Sequence, residues 1–438
     1  MTFLAGATAT AMLATQATPA HADVAGDTLI NKLEQKGILT TAEAKQLREE
    51  NQQEYNNSFT NSFSQMTGMP SWVTGYKVSG DFRGRYDFMG SDYTVDRGRL
   101  RYRLRAGLVI NMQDNLQVGF RLGSGDYASS YGGTPLSNNS TLQDNFSKKS
   151  IYIDAAYGKW TAINDGTWLL SATIGKMDNP FHFTPMVFDP DLTPEGGAVQ
   201  GKYTINDKNN ISYAGAAFVL DEIGSTTHDP FLYGGQVAWN SKWNDKLGSS
   251  LGIGAFQIVS AGQLTSSNVK NYNQGNTVNA AGAPVYNFNP VIADASVTYT
   301  LDSFPLYQGK FPVAVAGEFI NNPAAPSNNN GYWAGVTFGK SGKKHTWDIS
   351  YRYEYIEGDA WYDQLVDDDN AALVPTSATT GSISGGTNIK GHLIKADYSL
   401  TDSLTFTFTC YMNDLINNPY PAAKSSAIHA MADVMWKF

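Results

Sequence analysis

Asp96-Arg-Gly-Arg-Leu-Arg-Tyr-Arg-Leu-Arg-Ala-Gly-Leu-Val-Ile110 sets Arg97, Arg99, Arg101, Arg103 and Arg105 on alternate positions, with Leu100, Tyr102, Leu104, Ala106, Leu108 and Ile110 between them. Successive side chains of a strand point to opposite faces, so the segment is cationic on one face and apolar on the other. A helix would scatter the same arginines around its circumference. Two settings satisfy the strand reading. A soluble sheet buries the apolar face and shows the arginines to water. A membrane barrel turns the apolar face to lipid and lines a water-filled interior with arginine. The rest of the chain decides between them.

Only 16% of the 438 residues are charged, below the ~25% of a typical soluble domain. Abundant Gly, Tyr, Phe, Asn, Ser and Thr suit many strands joined by turns. Beyond the N-terminus no apolar run approaches the ~20 residues of a membrane helix, which excludes a helical membrane protein. A net charge of −9 argues against nucleic acid as a partner. The single cysteine, Cys410, gives no disulfide framework, and six dispersed histidines offer no metal-ligand spacing, so neither metal nor cofactor is expected.

Residues 1–22 are small and apolar and end in Ala20-His21-Ala22, an A-x-A cleavage pattern that predicts an export signal and a mature start at Asp23. The usual positive residues at the start are missing, so the first residue shown fits an internal or truncated start. Residues 27–55 predict a helical hairpin, with Leu29, Ile30 and Leu33 on one face, a break at Gly37, and Thr40 or Thr41 as N-cap ahead of Glu43 or Ala44. It packs against a partner copy or the periplasmic rim, or serves as a solvated tether. Residues 23–71 form this hairpin and its linker, and residues 72–438 the β-domain.

From Trp72 the period is two. Tyr76, Val78, Phe82, Tyr86 and Phe88 share one face, and Asp81, Arg83, Arg85 and Asp87 the other. The alternation recurs through Leu116–Leu122, Val291–Leu301, Trp347–Tyr355 and Leu404–Met412. Seven short turn-rich connections alternate strictly with eight mostly longer polar ones, which separates sixteen strands, or fourteen or eighteen if boundaries shift. An even count puts both ends on one side, with short turns there and long loops opposite. The chain closes on Ile428–Phe438, an alternating strand ending in Phe438, which resembles the signal read by the outer-membrane barrel-assembly machinery. The expected fold is all-β: an antiparallel transmembrane barrel in the bacterial outer membrane, facing lipid.

The third long connection, Asp178-Asn-Pro-Phe-His-Phe-Thr-Pro-Met-Val-Phe-Asp-Pro-Asp-Leu-Thr-Pro-Glu-Gly-Gly197, is stiff with proline and too apolar for an exposed loop, so it must pack somewhere. Its run Asp189-Pro-Asp-Leu-Thr-Pro-Glu-Gly196 resembles a hallmark of the bacterial putative porin family. That resemblance extends over about 72–438; by a further resemblance, to sixteen-stranded general porins whose third external loop folds into the barrel, the loop would offer Asp189, Asp191 and Glu195 at a constriction. Read without it, the same acids cap turns beside prolines. The resemblance also implies passive diffusion of small hydrophilic solutes or ions and a homotrimer.

Eight of the ten arginines lie between Arg83 and Arg121. A first hairpin turning near Tyr93 sets Asp87 opposite Arg99, Arg85 opposite Arg101, Arg83 opposite Arg103 and Asp81 opposite Arg105; a second near Gln113 sets Arg105 opposite Arg121. Like charges facing each other destabilise a sheet. A wet lumen facing loop carboxylates relieves this, so Arg83, Arg85, Arg99, Arg101, Arg103, Arg105 and Arg121 are read as a basic pore wall. The wall is similar to the arginine ladders of phosphate-selective porins, which suggests mild anion preference; Asp367-Asp-Asp369, read as outer-mouth charge, opposes it. The competing classes are an adhesin projecting its long loops and a lipid-modifying barrel enzyme, for which no serine motif flags a nucleophile.

Overall fold

The computed structural model describes residues 68–129 and 132–438 and, before them, Ile30, Lys32, Leu33, Lys36, Thr40, Glu43, Ala44 and Leu47. The expected export signal and most of the helical hairpin lie outside the described residues. At Thr40 the backbone N–H donates to Glu43 Oε2 (2.8 Å) and the Glu43 N–H donates back to Thr40 Oγ1 (3.3 Å), a capping box centred on Thr40.

Sixteen long strands follow: β1 Val73–Ser91, β2 Arg97–Met112, β3 Leu116–Gly125, β4 Ser150–Asn164, β5 Trp168–Lys176, β6 Glu195–Asn206, β7 Asn209–Val219 and β8 Phe231–Lys242, then β9 Leu247–Val259, β10 Val291–Leu301, β11 Phe311–Asn321, β12 Asn330–Gly339, β13 Thr346–Ile356, β14 Ile389–Ser399, β15 Leu404–Leu415 and β16 Ala427–Lys437. Each pairs antiparallel with the next, and β1 also pairs with β16 from Asp81↔Lys437 to Ser91↔Ala427, so the sheet closes on itself. A closed barrel leaves no unpaired edge, the condition for crossing hydrocarbon with strands. Strand number and the alternation of short and long connections match the sequence reading.

The barrel is apolar outside and charged inside. On β2, Leu100 and Leu104 are 58% and 42% exposed, while Arg103 between them is 1% exposed. Val78, Phe82 and Tyr86 on β1 face out, and Asp81, Arg83, Arg85 and Asp87 are buried. A soluble protein has the reverse arrangement. Exposed Trp72, Trp168, Trp239, Trp243 and Trp436 lie at the short-turn end, where amphipathic aromatics meet a membrane interface.

The first hairpin has the expected register, Asp87↔Arg99, Arg85↔Arg101, Arg83↔Arg103 and Asp81↔Arg105. The second departs by one rung. Asp114 and Asn115 take left-handed conformations (φ 58° and 60°), which shifts the turn centre past Gln113. Arg121 consequently faces Gly107, and Arg105 faces Gly123. A shift of two residues keeps side-chain parity, so Arg121 still points inward. Above β3, the two-residue strand Ser140–Thr141 from the second long loop pairs with Tyr102 and Arg101 of β2, completing the wall there.

Where β16 closes on β1, the Phe438 N–H donates to Gly80 O (3.0 Å) and the Gly80 N–H to Phe438 O (2.8 Å). The Phe438 ring occupies the space that a side chain at position 80 would need, and the Arg105 carbonyl crowds it from the other strand. Gly80→Val should therefore destabilise barrel closure by about 1–3 kcal/mol. Electrophoresis of unheated samples should show a smaller fraction of the compact, heat-modifiable band than in the unaltered protein.

Candidate functional site in the barrel lumen

The proline-rich third loop does not project. Phe181, Met186, Val187 and Phe188 are buried inside the barrel, where Phe181 stacks edge-on against Phe256 of β9 with ring centroids 4.8 Å apart. One end is held by β11: the Thr184 N–H and hydroxyl donate to the Glu318 carboxylate at 3.2 and 2.5 Å. The other reaches β2, where Arg103 Nη1 donates to Asp191 Oδ1 at 3.2 Å. The loop therefore crosses the lumen from one wall to the other.

A second loop fills the barrel with it. Residues 357–388 turn inward, and Trp361, completely buried, donates its indole N–H to Val187 O at 2.8 Å. The Asp189 N–H donates to Leu365 O (2.7 Å) and the Asp367 N–H to Pro185 O (3.0 Å), so the two loops are joined backbone to backbone. Asn273, from the loop between β9 and β10, donates to Asp363 O and Val366 O at 2.9 Å. Around Trp361, the side chains of Phe188, Phe256, Phe288, Ile292 and Ile320 form a core inside the barrel. Asp367, Asp368 and Asp369 thus lie in the lumen and not at the outer mouth. The apolar run Ala360-Trp361-Tyr362 and Val366 carried that signal in the sequence, by the same logic that brings the third loop inward.

Every arginine of the expected wall faces inward and meets an acceptor. Asp81 bridges Arg103 (2.8 Å) and Arg105 (2.8 Å), and Asp87 bridges Arg99 (3.0 Å) and Arg101 (3.1 Å). Arg85 grips Asp433 of β16 with two hydrogen bonds, 2.8 and 2.9 Å, and reaches Asp369 at 3.2 Å. Arg83 donates to Asn139 Oδ1 at 2.8 Å. Arg121 pairs with Asp154 of β4 and, at 2.7 Å, with Asp178. The like-charged rungs are neutralised diagonally, from the next strand and from the loops. Glu195 does not join this group: the loop has ended at Pro194, and Glu195 opens β6 with its carboxylate paired to Lys176 at 3.0 Å.

Carboxylate oxygens of Asp189, Asp367 and Asp368 lie within 4.8 Å of one another where the two loops meet, close enough to share protons or to hold a hard divalent cation. Burial, then the neighbouring Asp368 and Asp367, pushes the Asp189 carboxyl well above the usual range. Burial, then Asp369 and Asp367, does the same to Asp368. Asp367 is pushed up to about 7 by burial, followed by Asp369. At Asp191 burial also opposes ionisation, but Arg103, Arg83 and Arg105 outweigh it and the carboxyl lies below its ordinary range. Asp369 behaves alike, with Arg85 the strongest of the cations that outweigh burial. Between the basic wall, both loops, β14 and β15, a cavity of about 80 Å³ remains.

A closed sixteen-strand barrel, apolar outside, charged inside and crossed by its own loops, has the architecture of a transmembrane β-barrel. Residues 89–289 match the model of the putative porin family, and the Asp189–Gly196 motif falls inside the matched stretch. Among solved structures, a triple mutant of Rhodopseudomonas blastica porin aligns at 12% identity with a TM-score of 0.41, and a further Rh. blastica porin mutant at 13% and 0.42, each covering 83% of this chain and 100% of the other. No curated protein matches the chain in sequence.

If the loops are held across the lumen by their shared core, Trp361→Ala removes about 3–5 kcal/mol from that packing. The strand ladder is untouched. Single-channel recordings should then show larger and noisier conductance, with the compact band of unheated samples unchanged.

Proposed function

We propose that the protein is a bacterial outer-membrane porin through which small hydrophilic solutes and ions diffuse passively. The third external loop narrows the channel together with residues 357–388, and near neutral pH the constriction mildly prefers anions. The observation that carries this reading is the third loop, tied to Glu318 on one wall and Arg103 on the other inside a charged lumen. Export through residues 1–22, assembly through the strand ending in Phe438, a surrounding lipid bilayer and a homotrimer belong to the same proposal. Of the two long loops an adhesin would project, residues 261–289 and 359–386, the second turns inward and Asn273 of the first is tied to it, which favours a channel. His345 and His392 hydrogen-bond Tyr398 and Tyr351, not a serine, which favours a channel over a hydrolase.

The sign of selectivity follows from protonation. Arg83, Arg85, Arg103 and Lys395 line the constriction against Asp189, Asp191, Asp367, Asp368, Asp369 and Asp433, four cations facing six acids. With Asp189, Asp367 and Asp368 protonated, the acidic excess of this lining is reduced, which favours anions at its arginines. As pH rises through about 7, where Asp367 titrates, and beyond, these acids ionise and the lining turns negative. The folded loops hold protons that an unfolded chain releases lower in pH, so stability of the junction also falls as pH rises from the ordinary carboxylate range through about 7.

Reversal potentials across a salt gradient test both parts. They should indicate mild anion preference below neutrality and swing toward cations on alkaline titration. Cation preference at every pH would refute the anion reading. Arg101→Ala combined with Arg103→Ala should shift the neutral-pH potential toward cations and leave a conducting channel. A purified protein that forms no conducting channel in planar bilayers would overturn the porin reading itself.

A further inference from the structure

On the long-loop side of the crossing loops lies a larger, partly open cavity, about 470 Å³. Phe188 and Leu192 of the third loop and Tyr362 and Leu365 of the second inward loop lie along one part of it. Leu220 and Leu232, at the rims of β7 and β8, and Leu264 and Val269, after β9, line the rest. A passage that only admits hydrated solutes has no need of such a lining. A concave volume of this size, mostly apolar with a few polar groups, has the character of a small-molecule site.

The polar groups have a sign. Glu195, Asp221 and Glu222 line the cavity beside one lysine, Lys270. Glu195 is engaged by Lys176, which leaves Asp221 and Glu222 as the carboxylates offered to an occupant. The Lys270 ammonium lies 5.1 Å from the centroid of the Tyr272 ring, over its face. The chain thus seats an ammonium of its own on an aromatic side chain of this cavity, the arrangement by which aromatic rings take up cations.

We propose that this vestibule binds small amphipathic cations, an ammonium group carried on an aromatic or aliphatic body. The apolar part enters among Leu192, Leu264 and Val269, and the ammonium lies toward Tyr272, Asp221 and Glu222. The proposal rests on the porin reading and extends it: such solutes are concentrated on the outer side of the constriction before they cross it. Because the floor of the cavity is formed by the two loops that narrow the channel, an occupant also obstructs ion flow.

The experiment uses the full-length protein in planar bilayers carrying potassium chloride current, with 2-phenylethylammonium as probe and ethylammonium and 2-phenylethanol as comparators. The probe, added on the long-loop side, should reduce the current reversibly at concentrations about tenfold below either comparator, as joint loss of ring or charge implies. Asp221→Asn with Glu222→Gln should raise the half-blocking concentration about tenfold, and Lys270→Met, which removes the competing ammonium, should lower it. Equal block by ethylammonium or by 2-phenylethanol, block only from the short-turn side, or indifference to the double substitution would overturn the proposal. A conducting channel that the probe leaves untouched overturns it too, with the porin reading intact. Should the protein carry no current, calorimetric titration of the detergent-solubilised chain reads the same ranking of the three compounds, and equal or absent heats refute the site.

Discussion

A strand that crosses hydrocarbon must keep every charge on one side, and that constraint organises this molecule. On β1 the sequence Asp81-Phe-Arg-Gly-Arg-Tyr-Asp87 has no freedom of orientation: a slip of one residue would carry two arginines and two aspartates into lipid. Burying an unpaired charge in an apolar medium costs far more than one hydrogen bond returns. The register between β1 and β2 is therefore fixed by exclusion from lipid, even though it places Arg83 beside Arg103 and Arg85 beside Arg101. The repulsion that results must be relieved from elsewhere, and Asp433, Asp191, Asp369 and Asn139 provide the relief from β16 and three loops. The charged wall and the inward loops are two halves of one electrostatic solution.

The loops have a second reason to be inside. Burying a large apolar side chain contributes about 1.5–3 kcal/mol, and the third loop and residues 357–388 each bring several to the core around Trp361. Neither loop could bury them alone. Their junction is consequently apolar on one side and carboxylate-rich on the other. The apolar side, toward Phe256 and Ile292, holds position; the acidic side, at Asp189, Asp367 and Asp368, meets the arginines. A rigid support next to a titratable edge lets the charge of the constriction change without unfolding the loops that carry it.

Most of the fold was legible because its two strongest signals are local. Alternation with period two along β2, β13, β15 and β16, and turn residues between them, fixed strand number, orientation and the register of the first hairpin. The second register was missed by one rung because left-handed Asp114 and Asn115 lengthen the turn, which a turn-centre estimate does not see. The site was legible in part. Asp189 and Asp191 lie inside the barrel and share a small cavity with Arg83, Arg85 and Arg103. Glu195 was misassigned because the boundary between Pro194 and β6 depends on pairing with β5, a contact between segments distant in sequence. Asp367–Asp369 were placed outside because three consecutive acids read as solvated. The apolar residues that pull them inward, Trp361 and Val366, find their partners only in other loops.

The lumen is thereby divided unequally. Strands β7 to β13 supply the apolar core around Trp361, with a second small cavity bordered by Asp294, Glu318 and Arg352 on β10 to β13, while β1 to β3 and β14 to β16 face the ion pairs and the cavity beside them. A dry, close-packed region carries no current, since an ion entering it would lose its hydration without compensation. The charged side, at Arg83, Arg85 and Arg103, keeps a small cavity instead. Pairing also limits what this wall can hold: an anion would have to displace the carboxylate already at each arginine.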